Sequence, residues 1–228
     1  MSRVCILSDL HLPFEHPSAL KFIQRTIEKY KCDRIVSIGD FADFHAYSIK
    51  WTPDPNGRSP GDEYELLRES AEPWYKALPE VEIVSSNHDS RPYKKIFNAQ
   101  LPWQLIKGMS EFLGSPKGWT WLESGIEIDG VYYFHGEGLS QSNWRLAHEK
   151  YKMSVVHGHL HNSAGVHYHQ DRKRRYFVLN TGCLIDEKQY CFRYNEANFN
   201  RAVIGCGIVI DGETAIFEPM DLKLKSKI

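Results

Sequence analysis

Short apolar runs that end in polar clusters alternate with stretches of helical periodicity along the first part of the chain. Val4–Leu7 (VCIL), Arg34–Ile38 (RIVSI) and Val81–Val84 are short and apolar enough to predict buried parallel strands. Between the first two, Leu20, Ile23, Ile27 and Tyr30 recur on one face of a predicted helix that Ser18 would cap. Asp62 to about Leu78 predicts a second helix. Strand–crossover units in succession predict an α/β sheet with right-handed crossovers. Trp51–Gly61 holds three prolines and two glycines and reads as a surface excursion, because regular patterning resumes after it.

From Pro92 to about Lys117 the chain reads as helical and is rich in aromatics and prolines. The second half then changes to strands: Trp121–Ile128, Val131–Phe134, Ser154–His157, Gly165–Gln170, Arg174–Leu179, Ala202–Ile210 and Glu213–Glu218. One helix, roughly Gln141–Tyr151, interrupts them. Asp129-Gly130 and Asp211-Gly212 are hairpin turn dipeptides. The whole chain, 1–228, is expected to form one domain, with an ordered core over about 3–219 and a solvated tail over 220–228.

Composition narrows the class. With 28 Lys+Arg against 29 Asp+Glu, the net charge of −1 excludes a protein held to nucleic acid by bulk positive charge. The five cysteines are odd in number and widely spaced, with no CxxC, which argues against a disulfide framework or a thiolate zinc site and for a reducing, cytoplasmic location. No apolar stretch is long enough for a membrane span, so no membrane partner is expected. Eleven histidines point to metal or acid–base chemistry.

That chemistry has a place. The first strand runs into Asp9-Leu10-His11, the second into Gly39-Asp40 and on to Asp43, and the third into Asn87-His88-Asp89. Val131–Phe134 runs into His135, and Ser154–Val156 into His157-Gly158-His159-Leu160-His161. Ligand sites of open α/β sheets lie beyond the carboxyl ends of strands, so these clusters can converge. Oxygen and imidazole donors without thiolate suit Mn²⁺, Fe or Zn²⁺. Two Asp, one Asn and four His are enough for two ions sharing a carboxylate.

The ordered set of motifs resembles the calcineurin-like metallophosphoesterases, whose signature is D-x-H, G-D-x-x-D, G-N-H-D/E, H and G-H-x-H. The resemblance runs from Asp9 to His161. It implies a four-layer α/β/β/α sandwich of two mixed β-sheets flanked by helices, with two divalent ions at one end: Mn²⁺ first, with Fe, Zn²⁺ or Ni²⁺ as alternatives. It further implies that Asp9, His11, Asp40 and His161 hold one ion. Asp40, Asn87, His135 and His159 would hold the other, with Asp40 as the bridge. His88 would face the scissile phosphate, Asp89 would orient His88, and Asp43 would support the site or cap a helix.

Two departures stand out. Ser86 occupies the position of the family glycine before Asn-His-Asp, and Phe44-His45 follow Asp43 where the protein-phosphatase branch has Arg-Gly. The implied function is hydrolysis of a phosphate ester by a metal-bridging hydroxide, in a phosphodiesterase acting on nucleotide or nucleic acid. A phosphomonoesterase, a non-catalytic scaffold of the same fold and a nucleic-acid-binding module are the alternatives. Oligomeric state is not readable.

Other residues have two readings each. His157 is a packed histidine or a support of the metal site. His45 is a substrate contact or a loop residue. His167 and His169 alternate on a strand and read as a solvated face. Arg174, within Arg172–Arg175, is a phosphate contact or part of a solvated turn. Trp51 and Trp103 are candidate groove-lining aromatics. Asn180-Thr181-Gly182-Cys183 either shapes the pocket or is a plain turn.

Overall fold

The strands in chain order are β1 (Arg3–Leu7), β2 (Arg34–Ser37), β3 (Val81–Val84), β4 (Trp119–Leu122), β5 (Ile126–Ile128), β6 (Val131–Tyr133), β7 (Ser154–His157), β8 (Gly165–Gln170), β9 (Arg175–Asn180), β10 (Gly205–Ile210) and β11 (Thr214–Pro219). The helices are α1 (Ala19–Tyr30), α2 (Pro60–Ala77), α3 (Arg91–Asn98), α4 (Met109–Leu113) and α5 (Ala147–Tyr151). The computed structural model describes residues 2–48, 58–102, 104, 106–189, 191–192 and 201–222. Most of the Trp51–Gly61 excursion, both Trp51 and Trp103, and the tail residues 223–228 lie outside the described residues.

One sheet has the order β11-β10-β1-β2-β3-β4, the other β5-β6-β7-β9-β8. β1 to β4 run parallel, with β10 antiparallel to β1 and β11 antiparallel to β10. In the second sheet β6, β7 and β9 are parallel and β5 and β8 are antiparallel edges. Both sheets are therefore mixed.

Three apolar layers hold the stack together. In β1, Cys5 and Leu7 face outward and pack with Ile23 of α1 and Leu67 and Trp74 of α2. Val4 and Ile6 face inward and meet Val131, Tyr133, Val156 and Leu179 of the second sheet. This period-two alternation with both faces apolar is why β1 reads as a continuous hydrophobic run. Val155 and Val178 face the other way, against Trp144 and Ala147. The result is the expected order of helix, sheet, sheet and helix. Both Asp-Gly dipeptides form tight hairpin turns with positive φ at each residue: Asp129 51° and Gly130 72°, Asp211 52° and Gly212 67°.

Three sequence expectations need correction. Trp121–Ile128 is not one strand but parts of β4 and β5, in different sheets. The chain changes sheets at Glu123–Gly125, where a Cβ on Gly125 would lie 2.5 Å from the Tyr132 ring. Among the described residues of Pro92–Lys117, the α-helices are α3 and α4, and the chain between them is not one continuous helix. The Gln141–Tyr151 helix shrinks to a 3-10 turn at Trp144–Leu146 followed by α5.

Candidate metal centre

The two sheets face each other, so the carboxyl ends of β1, β2, β3, β6 and β7 open on one rim. Each chemical cluster sits in the first residues beyond one of these ends. The backbone there is bent sharply. Asp9, His11, Asp40 and His159 all adopt positive φ, at 54°, 51°, 48° and 68°. Such conformations cost about 1–3 kcal/mol each and persist only where the surroundings enforce them. The enforcing contacts are local. Asp9 N–H donates to Gly39 O at 3.1 Å, and His11 N–H donates to Asp40 O at 2.8 Å, tying the first two strand ends together. Gly158 has no room for a side chain, because a Cβ there would run into Ser8 and Asp9.

The side chains converge into two groups that share Asp40. Asp9, His11, Asp40 and His161 form one, and Asp40, His135 and His159 form the other, with ligand atoms in each group within 4.8 Å of one another. Asp40 Oδ2 lies 3.3 Å from both His11 Nε2 and His135 Nε2. Asn87 joins the second group, its Oδ1 3.0 Å from His135 Nε2. A third group, His11, Asp43 and His88, lies beside the first.

The donor geometry fits divalent ions. His11 Nε2 and His161 Nε2 face each other at 3.3 Å, and His135 Nε2 and His159 Nδ1 at 3.1 Å. Two nitrogens bound to one ion at ~2.0–2.1 Å stand about 3 Å apart, as these do. The far ring nitrogens of His11 and His135 are engaged as metal-ligand imidazoles require. His11 Nδ1 donates to Asp43 Oδ1 at 2.6 Å, and His135 Nδ1 donates to Ile38 O at 3.0 Å.

The electrostatics point the same way. Burial opposes the charge of Asp9, yet hydrogen bonds from His11 and His161 hold its carboxyl well below the usual range. Burial likewise opposes Asp40, and the neighbouring His135 and His88 outweigh it. Burial would keep His135 neutral, but the charge and hydrogen bond of Asp40 push it up to about 9. These buried carboxylates thus draw positive charge into the rim.

Ser86 sits behind Asp40. Its Oγ donates to Asp40 Oδ1 at 2.5 Å and lies 2.7 Å from Asp89 Oδ2, while it accepts the Asp40 N–H at 2.8 Å. The departure from glycine therefore adds a clamp on the shared carboxylate.

Asp89 does not orient His88. Its Oδ1 takes the Ala42 N–H at 3.0 Å, and its Oδ2 lies 2.7 Å from Ser86 Oγ. Burial, then the charge of Asp40, pushes its carboxyl up to about 6. Consecutive residues in a helical turn point about 100° apart, so residues 88 and 89 cannot face each other there. Asp43 takes the orienting position instead: His88 Nδ1 donates to Asp43 O at 3.0 Å and lies 3.1 Å from Asp43 Oδ1.

The remaining candidates separate. His45 is buried beside the site, its Nδ1 3.7 Å from Asp43 Oδ2. His157 is fully buried against Trp144 and Phe134, and burial pulls its imidazole down to about 4. Arg174 is not near the site. β9 reaches the rim at Asn180, which pairs with His157, and Arg174 precedes the other end of that strand. At about 3.3 Å per residue this separates Arg174 from the rim by roughly 20 Å. Its guanidinium lies over Tyr176 and donates to Lys152 O. His167 is exposed, as expected, while His169 is half-buried and stacks on His148 at 3.7 Å.

Sequence reasoning left Asn180 open. Its side chain donates to Ser163 Oγ at 3.0 Å and accepts from Gly182 N at 3.0 Å, so it supports the loop that carries His159 and His161. Three contributors were missed. Phe192 packs edge-on to His11 at 5.4 Å, Glu63 accepts the N–H groups of His45 and Ala46, and Arg91 reaches both Asp43 and His88.

The model of the calcineurin-like phosphoesterase family matches residues 2–186. No curated protein sequence matches the chain significantly. Among solved structures, the chain is similar to YfcE, a phosphoesterase from E. coli, at 16% identity, covering 91% of this chain and 88% of that one with a TM-score of 0.43. It is also similar to vacuolar protein sorting 29 from Cryptosporidium parvum, at 13% identity, 91% and 83% coverage and a TM-score of 0.46. A nuclease, MPE, from Pseudomonas putida is similar at 13% identity, 95% and 87% coverage and a TM-score of 0.40. With 185 consecutive residues matched and its histidines and carboxylates gathered on one rim, this chain belongs to the calcineurin-like phosphoesterase family.

Proposed function

We propose that this chain is a phosphoesterase that works with two divalent ions and acts on phosphodiesters of nucleotides or nucleic acids. One observation carries the reading: Asp40 belongs to both groups of potential ligands. Asp9, His11, Asp40 and His161 would hold one ion, and Asp40, Asn87, His135 and His159 the other, with Mn²⁺ the first candidate. Bound there, the pair would generate hydroxide from water near neutral pH and offset charge on the phosphoryl oxygens.

The chain's own residues do the rest. Asp43 holds His11 and His88 through their Nδ1 atoms, so both Nε2 atoms are aimed. His88 Nε2 lies 3.9 Å from Asp40 Oδ2, at the edge of the cluster where a phosphate would arrive. From there His88 would stabilise phosphoryl oxygens or protonate the leaving oxygen, a contribution of about 10²–10⁴-fold. Ser86 and Ser8 hold the carboxylates of Asp40 and Asp9 against rotation. Phe44-His45 after Asp43 sets the chain apart from the protein-phosphatase branch and favours a diester. All five cysteines are free, which suits a reducing, cytoplasmic compartment. No helix among the described residues is long and apolar enough to cross a membrane.

The test is Mn²⁺-dependent hydrolysis of bis-p-nitrophenyl phosphate against p-nitrophenyl phosphate, followed by single- and double-stranded DNA, RNA and cyclic nucleotides. Preference for the diester is expected. Preference for the monoester would make the chain a phosphomonoesterase, and no Mn²⁺-stimulated turnover on any of them would overturn catalysis.

A further inference from the structure

We propose that Arg91 is a phosphate-binding residue of this site, its guanidinium receiving the non-bridging oxygens of the substrate. This rests on the phosphoesterase reading above.

The third strand end places it. Residues 88 and 91 are three apart across the turn that starts α3, so they share a side of it. Arg91 Nη1 donates to Asp43 O at 2.8 Å and lies 3.8 Å from Asp43 Oδ2. Arg91 Nη2 donates to His88 Nε2 at 2.9 Å. Among the described residues, no other Lys or Arg side chain contacts the ligand candidates, His88 or Asp43. The second strand end brings no cation of its own, since Phe44 and His45 follow Asp43.

A merely structural arginine would be fully enclosed and fully used. Arg91 is neither. Its side chain keeps 21% exposure at the edge of the cluster. Two of its five N–H groups are engaged, and the other three have no partner among the described residues. A planar fork with spare donors matches two phosphate oxygens. The His88 contact links binding to chemistry. While Arg91 donates to Nε2, that nitrogen is capped. A phosphate oxygen that takes over the Arg91 hydrogen leaves Nε2 uncapped beside the same phosphate.

The test compares Mn²⁺-loaded wild type with Arg91→Gln and Arg91→Lys, with inorganic phosphate as the binding probe. Losing a charge-assisted hydrogen bond to phosphate corresponds to about 10- to 100-fold in affinity. Arg91→Gln is expected to keep its Mn²⁺ content and melting temperature, to weaken phosphate binding by that factor in calorimetry, and to raise KM for bis-p-nitrophenyl phosphate more than it lowers kcat. Arg91→Lys should retain part of the affinity, and added guanidinium should restore turnover to Arg91→Gln but not change wild type. Should Arg91→Gln fold poorly, Arg91→Lys and its incomplete phosphate binding carry the comparison. Phosphate affinity equal to wild type in both variants would overturn the proposal. Phosphate binding that depends on Arg91 in a protein without turnover would support it and overturn only the catalytic reading. A Mn²⁺-loaded wild type that neither binds phosphate nor hydrolyses either ester would overturn both.

Discussion

Gly39 leaves free the space that Ser86 fills: a Cβ on Gly39 would lie 2.6 Å from the Cβ of Ser86 and 3.0 Å from the His135 ring. The glycine at the end of β2 therefore does two things. It adopts φ 97°, which turns the chain so that Asp40 points into the rim, and it lets a serine stand where the family has glycine. That serine then clamps Asp40 from behind. Gly39→Ala is expected to cost about 1–3 kcal/mol for the backbone and a comparable amount for the overlap. Adding Ser86→Gly should recover the part of the overlap made by Ser86 but not the backbone part. Denaturant unfolding of the single and double variants checks this. Additive losses would show that the two positions do not share space.

Asp43 serves two imidazoles with one carboxylate, taking His11 at 2.6 Å and holding His88 at 3.1 Å. Burial opposes its charge, and hydrogen bonds from His11 and His88 hold it well below the ordinary range. Asp43→Asn keeps the shape and removes the charge. Partners that orient metal-binding histidines are worth about 10- to 100-fold in affinity. A loss of that size in Mn²⁺ affinity is expected in calorimetric titration, with a larger loss in kcat because His88 loses its carboxylate partner as well and keeps only the Asp43 carbonyl. Unchanged Mn²⁺ affinity would mean that His11 does not depend on Asp43.

What was legible in the sequence was what is local. The D-x-H, G-D and G-H-x-H clusters each lie within a few residues of a strand end, and parallel strands carry such ends to one rim. The Asp-Gly turns were legible because few dipeptides accept two positive φ values in succession. What failed was pairing across elements. Asp89 follows His88 in sequence yet faces Ser86, whereas Asp43 lies on another strand end and reaches His88. Glu63, on α2, belongs to none of the motifs. It is buried because the N–H groups of His45 and Ala46 at the start of a 3-10 turn need an acceptor. The change of sheet at Glu123–Gly125 is marked by the polar, glycine-ending break Glu123-Ser124-Gly125, which the single strand Trp121–Ile128 passes over. Arg91 lacked any signal beyond its spacing from His88.

Arg174 tests the placement of the basic run. It lies roughly 20 Å from the rim along β9, more than twice the ~8 Å screening length at physiological salt. Arg174→Ala should leave kcat and KM for a small diester unchanged and cost no more than about 1 kcal/mol through its lost contacts with Tyr176 and Lys152. A raised KM for bis-p-nitrophenyl phosphate would return Arg174 to the site.

Glu15 makes stability depend on pH through a group outside the rim. It lies in the loop between β1 and α1, bridged by its backbone to Ile185. Its Oε2 is buried without a hydrogen-bond partner. Burial pushes its carboxyl up from 4.5 to about 7. Between those values the folded chain keeps a proton that the unfolded chain has lost. Stability from this group is therefore full below about pH 4.5 and falls as pH rises through 7. The shift corresponds to about 3 kcal/mol if the carboxyl were wholly enclosed, and its partial exposure reduces that to about 1–2 kcal/mol. Glu15→Gln has no proton to lose at this position. The variant should match or trail wild type at pH 5 and exceed it by about 1–2 kcal/mol at pH 8. Urea unfolding of metal-free protein at both pH values measures the difference, and subtracting one protein from the other cancels every other titrating group. Parallel stability curves across that range would show that Glu15 ionises in the folded chain without penalty.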